Sequence, residues 1–168
     1  MRRDWSRPVD VERLADLAEH LAVSVPAVEM PRLRDVLSRP EGTVSGDLRF
    51  ARRKGRPMVQ VSVQAKLPLR CQRCLQPVWV EVAGESEVWF VSEESEADGL
   101  EPSVEPTLAP QWKMAPQAVL EEELLLAMPL IPRHGESEQC QPTSAIAPDE
   151  AAVQRPFADL GKLLQRDS

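Results

Sequence analysis

Two cysteines at the spacing Cys71-x-x-Cys74 are the side chains of this sequence best suited to chemistry. Two thiolates at this spacing, on a turn between strands, can bind one tetrahedral zinc ion without strain in the backbone. A closed structural site needs four ligands, and His134 and Cys140 are the unspent candidates. Neutral imidazole and thiolate both suit zinc. The sequence therefore predicts a candidate metal site for one structural zinc ion, formed by Cys71, Cys74, His134 and Cys140.

Two other interpretations of the cysteine pair stay open. The first is thiol redox chemistry, but a thioredoxin-like motif lies at the start of a helix, and no helical pattern follows Cys74. The second is a tight turn that carries two small residues and no ion. Arg70 and Arg73 favour the thiolate form by proximity, which supports metal binding and redox chemistry alike.

Alternating apolar residues predict the strands that position this turn. One strand holds Val44 to Phe50, a long strand runs from Met58 to Leu69, and a third runs from Val78 to Val91 with Gly84 as a candidate bulge. Glycine and proline in 52–57 predict the turn between the first two strands. Short connections make this an antiparallel meander. The predicted fold class is α+β, an antiparallel β-meander of about three to five strands packed with a few short helices.

Three segments have helical spacing of their apolar residues. The first runs from Val11 to Leu21 with Asp10 as N-cap, the second from Met30 to Leu37, and the third from Pro116 to Met128. Three consecutive glutamates, Glu121–Glu123, lie in the third helix. No His or Asp is spaced to complete a metal or acid/base site with them, so they are predicted to form a solvated face.

The length of 168 residues fits a single domain, 1–168. Sixteen prolines argue against a fold dominated by helices. Residues 92–106 are acidic and nearly free of apolar residues, which predicts an acidic mobile loop at 92–113. Residues 141–155 are predicted to be poorly ordered, and 156–164 to form a C-terminal docking helix.

The cysteine count and the lack of long apolar segments indicate a cytoplasmic protein. Three cysteines do not make a disulfide framework. The N-terminal residues lack the apolar core of a secretory signal. No stretch approaches the roughly 20 apolar residues of a membrane span. We therefore expect reduced thiols and no membrane partner.

Positive charge is concentrated in one part of an acidic chain. The net charge is −7, yet residues 46–75 contain eight basic residues and one acidic residue, whereas 76–168 carry −13. Such asymmetry is typical of a surface that binds a polyanion, although an exposed strand pair with a basic solvent face has the same composition. Trp79 and Trp89 have odd numbers, opposite in phase to the valines of their strand, so they form either an exposed stacking pair or a second buried face. The buried face is expected, since helices are expected to cover that side. The candidate RNA-binding residues are Arg49, Arg52, Arg53, Lys54, Arg56, Lys66, Arg70 and Arg73.

Several of these segments together resemble a known family. They are Leu69–Leu75 (LRCQRCL), Glu121–His134 (EEELLLAMPLIPRH), Cys140, and the terminal Pro156-Phe157-Ala158-x-Leu160-x-x-Leu163. The chain is similar over nearly its whole length to the YceD family, the large ribosomal RNA subunit accumulation proteins. Other members carry extra cysteines near His134 and Cys140 that look like a four-cysteine metal site. Here a histidine replaces one of them.

The resemblance implies a non-enzymatic cytoplasmic protein needed for synthesis, processing or stability of large-subunit (23S) ribosomal RNA. Its expected partners are this RNA or a pre-ribosomal particle, with a ribosomal protein as a further candidate. No catalytic residue follows from the resemblance. An acidic adaptor or chaperone for a basic ribosomal protein is the alternative, since the −13 half of the chain suits such a partner.

Overall fold

A five-stranded sheet forms the frame of this protein. The computed structural model describes residues 4–100, 106–135 and Cys140. The elements in chain order are β1 (Val9–Asp10), α1 (Val11–Asp16), β2 (His20–Pro26), α2 (Pro31–Arg34), β3 (Thr43–Arg53), β4 (Arg56–Arg70), β5 (Pro77–Val91), β6 (Pro106–Leu108), β7 (Lys113–Met114) and α3 (Pro116–Ala127). The strands of the sheet lie in the order β2-β3-β4-β5-β6. All neighbours are antiparallel except β5 and β6, which are parallel, and β1 pairs with β7 outside this sheet.

The predicted meander is confirmed as strands β3, β4 and β5. A two-residue turn joins β3 to β4, with positive φ at Lys54 and Gly55, which matches the twist of a β-hairpin. Pairing between β4 and β5 continues without an inserted residue and places Gly84 opposite Val63. The predicted bulge at Gly84 is therefore wrong. The glycine instead leaves room for a helix, since a Cβ there would lie 3.1 Å from Ala127 Cβ.

Helix α3 lies across one face of the sheet and closes the core. It confirms the predicted third helix, with Leu120 and Leu124 fully buried. Gly46 on β3 is in register with Val63, so Gly46, Val63 and Gly84 form one row across three strands. A Cβ at Gly46 would overlap Leu120 Cδ2. The two glycines thus let the helix approach the sheet closely.

The first predicted helix is shorter than expected. Asp10 is its N-cap as predicted, and its carboxylate accepts a hydrogen bond from the Arg13 amide. This bond and the Lys113 ammonium lower the pKa of Asp10. The helix ends at Asp16, and Leu21 belongs to the edge strand β2 with its side chain in the core. Because residues 21–25 alternate apolar and polar, pairing with β3 overrides the helical spacing. The second predicted helix exists as the single turn α2.

The prediction of a solvated glutamate face is wrong for Glu121. Its side chain is 6% exposed, and its Oε1 accepts hydrogen bonds from the amides of Arg32 (2.8 Å) and Leu33 (3.0 Å). These amides belong to the first turn of α2, whose N-cap residue Met30 makes no side-chain cap. Glu121 therefore caps α2 from another element. Glu122 is exposed and pairs with the Arg32 guanidinium.

The structure describes only some of the residues in the segments predicted to be mobile or poorly ordered. Within 92–113 the described residues include a 3-10 turn at Glu94–Gly99, a second at Pro110–Trp112, and strands β6 and β7. The mobility of this segment stays a prediction. Residues 141–155 and the predicted docking helix lie outside the described residues. Among the helices that the structure describes, none is long and apolar enough to cross a membrane.

Candidate metal centre and basic surface

The turn between β4 and β5 holds the two cysteines of the C-x-x-C motif. Its ends are joined by hydrogen bonds from the Cys71 amide to the Gln76 carbonyl and from the Leu75 amide to the Cys71 carbonyl, both 2.9 Å. The Arg73 amide donates to Cys71 Sγ at 3.5 Å. Leu75 has a φ of 61°, a left-handed conformation that costs a non-glycine residue about 1–2 kcal/mol. The turn thereby directs both thiols inward, and both are buried.

The structure brings all four predicted metal ligands together. Their ligand atoms lie within 4.8 Å of one another. Cys71 Sγ is 3.5 Å from Cys140 Sγ, and Cys74 Sγ is 3.4 Å from His134 Nδ1. Bonds of about 2.3 Å from zinc to sulfur place two tetrahedral ligands about 3.8 Å apart. The distances within both pairs are close to that value, so one ion fits among the four atoms.

Hydrogen bonds orient the histidine as a ligand. His134 Nε2 is 3.0 Å from the Pro77 carbonyl oxygen. A carbonyl can only accept, so Nε2 carries the proton and Nδ1 presents its lone pair to the cysteines. Metal-binding histidines commonly have such a partner on the other ring nitrogen. The Gln72 amide also donates to the Pro132 carbonyl at 2.8 Å, which joins the histidine loop to the cysteine turn.

The thiols have different acidities. Burial raises the pKa of Cys71, but hydrogen bonds from the Cys74 and Arg73 amides outweigh it and leave the pKa at about 5. Burial, with the hydrogen bond to Cys71, raises the pKa of Cys140 to about 11. A thiolate at Cys71 is the form that binds a metal.

The arrangement around Cys74 lacks the main feature of a thioredoxin-like site. The residues after Cys74 form a turn that leads into strand β5, so no helix begins there. No disulfide joins any two of Cys71, Cys74 and Cys140, all of which the structure describes. Three sulfurs and one imidazole nitrogen directed at a common point are a typical donor set for tetrahedral zinc.

The eight candidate RNA-binding residues lie on the β3–β4 hairpin and the cysteine turn. They form two groups at opposite ends of β4, whose 15 residues span at most about 50 Å at roughly 3.3 Å per residue. Arg49 and Lys66 lie between the ends, on the sheet face opposite α3. This face, which we call the open face, carries exposed polar side chains along β3, β4 and β5.

The two groups differ in their local charge. Arg52 pairs with Asp16 and Glu12 on α1, and Arg53 pairs with Glu87. The ion pairs found among the described residues include neither Arg70 nor Arg73. Positive charge at the cysteine end of β4 is therefore less neutralised than charge at the hairpin end.

The expectation that both tryptophans are buried is wrong for Trp79. Trp89 is 8% exposed, whereas Trp79 is 46% exposed on the open face. Both side chains lie on the same face of β5, but Trp89 lies at the end of the strand that pairs with β6, whereas Trp79 lies at the other end. Trp79 has an odd number, opposite in phase to the core valines of β5. This phase predicts which face of the sheet carries Trp79, but not whether other elements cover that face.

Comparison with known proteins places the chain in a family. The sequence profile of the family described as "Large ribosomal RNA subunit accumulation protein YceD" matches residues 59–164. This span includes most of β4, the whole of β5 and α3, and all four candidate ligands. The chain belongs to the YceD family.

A curated relative carries the same name. The large ribosomal RNA subunit accumulation protein YceD of Haemophilus influenzae is 32% identical over 111 residues, which are 62% of this chain and 63% of the relative. The match thus spans less than two thirds of the relative's length. No solved structure matches the chain.

Proposed function

We propose that this protein is a non-enzymatic factor of ribosome biogenesis that supports synthesis, processing or stability of large-subunit ribosomal RNA in the cytoplasm. The observation that carries this proposal is membership of the YceD family. The Haemophilus relative is named for accumulation of the same RNA subunit. Depletion of the protein should lower the ratio of 23S to 16S ribosomal RNA. An unchanged ratio in cells fully depleted of the protein would count against the role.

We propose further that RNA contacts the eight basic residues, chiefly those at the cysteine end. Arg70 and Arg73 support this most, because neither makes an ion pair with another of the described residues. Arg52 and Arg53 are paired, so binding of a phosphate there competes with Asp16 or Glu87. Each phosphate contact contributes about 0.7 to 0.9 to the slope of log K against log salt.

The RNA contacts are tested with paired variants. Arg70→Gln with Arg73→Gln should weaken binding to ribosomal RNA fragments and reduce the salt slope by about 1.4 to 1.8. Arg7→Gln with Arg13→Gln removes the same charge from exposed positions of the N-terminal segment and serves as the control. Equal effects of the two pairs would show that net charge, not this surface, governs binding.

We propose that the four clustered ligands bind one structural zinc ion. The support is chemical: the donors suit zinc, and the Pro77 carbonyl fixes the histidine tautomer that leaves Nδ1 available. Zinc would hold the loop of His134 against the turn that carries Arg70 and Arg73. Its role here is to fix the shape of the basic surface.

Elemental analysis of purified protein tests the zinc proposal. We expect about one zinc per chain, and cobalt substitution should give the absorption of a tetrahedral thiolate site. Cys140→Ser should reduce the zinc content, whereas Ser38→Ala, which removes a hydroxyl outside the cluster, should not. Protein purified without chelators that contains no zinc and does not take it up would refute the proposal.

An acidic adaptor for a basic ribosomal protein is the second candidate. Its support is a groove on the open face lined by Asp47, Glu85 and Glu87, together with Arg49 and neutral polar residues. It predicts a salt-sensitive complex with a protein that survives nuclease treatment. Purification from cells with and without nuclease separates the two candidates.

A further inference from the structure

We propose that the open face at the cysteine end of the sheet binds unpaired RNA, with Trp79 as a platform on which a base stacks. This inference rests on the proposed RNA-binding function and deepens it, because it names the form of RNA recognised there. The observation that carries it is a half-exposed tryptophan on β5 beside two cationic side chains of the neighbouring strand β4.

Strand register places the three side chains together. Trp79 on β5 pairs with Pro68 on β4, and Lys66 and Arg70 lie two residues to either side of that proline on the same face. Diagonal cross-strand neighbours are about 7–8 Å apart, within reach of long side chains and aromatic rings. A nucleotide stacked on the indole would therefore have a cation available on each side for its flanking phosphates.

The charges along the open face favour a polyanion at this end. Arg70 makes no ion pair within the described part of the chain, and Lys66 is 3.7 Å from Glu81 in an exposed pair. Exposed pairs of this kind contribute little, so a phosphate can compete for the lysine. Farther along the sheet the face carries Asp47, Glu85 and Glu87. A nucleic acid strand would be repelled there and confined to the cysteine end.

The shape of the site favours single strands. Bases in an A-form duplex are stacked on one another, and its deep, narrow major groove excludes side chains. A protruding indole can stack only on a base that has left the helix. Because every base has a π-face, such a platform prefers unpaired RNA without reading its sequence.

The candidate metal cluster lies next to the end of β4 and β5 that carries this platform. Arg70 pairs with Pro77 at the last rung of β4 and β5, and Cys71 follows directly. The Pro77 carbonyl accepts the hydrogen bond from His134 Nε2. The cluster thus lies beside the Arg70–Pro77 pair, and Trp79 follows Pro77 by two residues on the same face of the sheet.

Binding to short RNAs tests the inference. The full chain is titrated into a labelled single-stranded oligonucleotide of about twelve nucleotides and into the duplex of the same sequence. Trp79→Ala should weaken single-strand binding roughly 10- to 100-fold, as expected for loss of one stacked base, and leave duplex binding within about twofold. Trp79→Phe should retain most of the affinity. Leu108→Ala serves as the matched control, since Leu108 has the same 46% exposure on another strand. Circular dichroism and the melting temperature verify that each variant is folded.

Each result decides the matter. Loss of affinity for the single strand alone, restored in part by phenylalanine, supports the platform. No change for the single strand, or equal losses for strand and duplex, overturns it. A complex with a protein that survives nuclease and depends on Trp79 also overturns it. If Arg70→Gln with Arg73→Gln weakens RNA binding but Trp79→Ala does not, only this inference fails. If the platform binds oligonucleotides but depletion leaves 23S ribosomal RNA unchanged, only the proposed function fails.

Discussion

Replacement of Glu121 by alanine should destabilise the protein far more than replacement of the adjacent Glu122. Glu121 is 6% exposed, and one of its oxygens accepts hydrogen bonds from two amides at the start of α2. Truncation at Cβ leaves those two amides without their acceptor. Glu122 has an exposed side chain whose ion pair with Arg32 contributes little.

The expected magnitude follows from the two amides. A buried donor left without a partner costs about 1–3 kcal/mol. The Leu33 amide bond is buried and the Arg32 amide bond is partly buried, so water can replace part of the second. We expect Glu121→Ala to lower the free energy of unfolding by about 2–4 kcal/mol. Glu121→Gln retains an acceptor oxygen and should cost about 1 kcal/mol, since it loses only the charge.

Urea denaturation measures this difference. With an m value of about 2 kcal/mol/M, the midpoint should fall by roughly 1–2 M in Glu121→Ala. Glu122→Ala is the control and should change stability by at most about 1 kcal/mol. If both alanine variants unfold at the same midpoint, the carboxylate of Glu121 does not cap α2 and the reasoning is wrong.

Three further predictions concern packing, backbone strain and metal. Gly46→Ala should lower the free energy of unfolding in urea by about 1–3 kcal/mol, because its Cβ would overlap Leu120. Gly84→Ala should lower it less, because the nearest atom to its Cβ would lie 3.1 Å away. A larger loss of stability at Gly84 would contradict the packing of α3. Leu75→Gly should relieve the strain of the left-handed conformation at φ 61° and raise the free energy of unfolding by up to about 1 kcal/mol. Leu75→Ala should give no such gain. Equal stabilities of the glycine and alanine variants would show that the turn is not strained. If zinc is present at about 1,000 times its Kd, its removal by a chelator should lower the melting temperature measured by calorimetry by roughly 10 °C. The melting temperature of the Cys140→Ser variant should not change on addition of the chelator. The same shift in that variant would mean that the ligand set is wrong.

Features that depend only on local pattern could be predicted from the amino-acid sequence. Alternation of apolar residues predicted β3, β4 and β5, and helical spacing predicted α3, because burial of one face follows directly from the periods of 2 and 3.6. The spacing of Cys71 and Cys74 predicted a two-ligand turn, and the elimination of other candidates named His134 and Cys140. Charge counts located the basic segment on the same hairpin.

Contacts between residues of different elements could not be predicted from the sequence and follow from the folded structure. The end of the first predicted helix became β2, because residues 21–25 gain more from pairing with β3 than from one further helical turn. Three identical glutamates in a row gave no sign that Glu121 caps a distant helix. Its role depends on how α2 packs against α3.

The same reason explains the tryptophans and the ligand cluster. Phase along β5 assigned Trp79 and Trp89 to one face, but coverage of that face differs between its two ends and is set by elements distant in sequence. The four ligand atoms converge because the Gln72 amide binds the Pro132 carbonyl and His134 binds the Pro77 carbonyl. Spacing can nominate ligands, whereas their convergence on one point depends on contacts between segments about 60 residues apart.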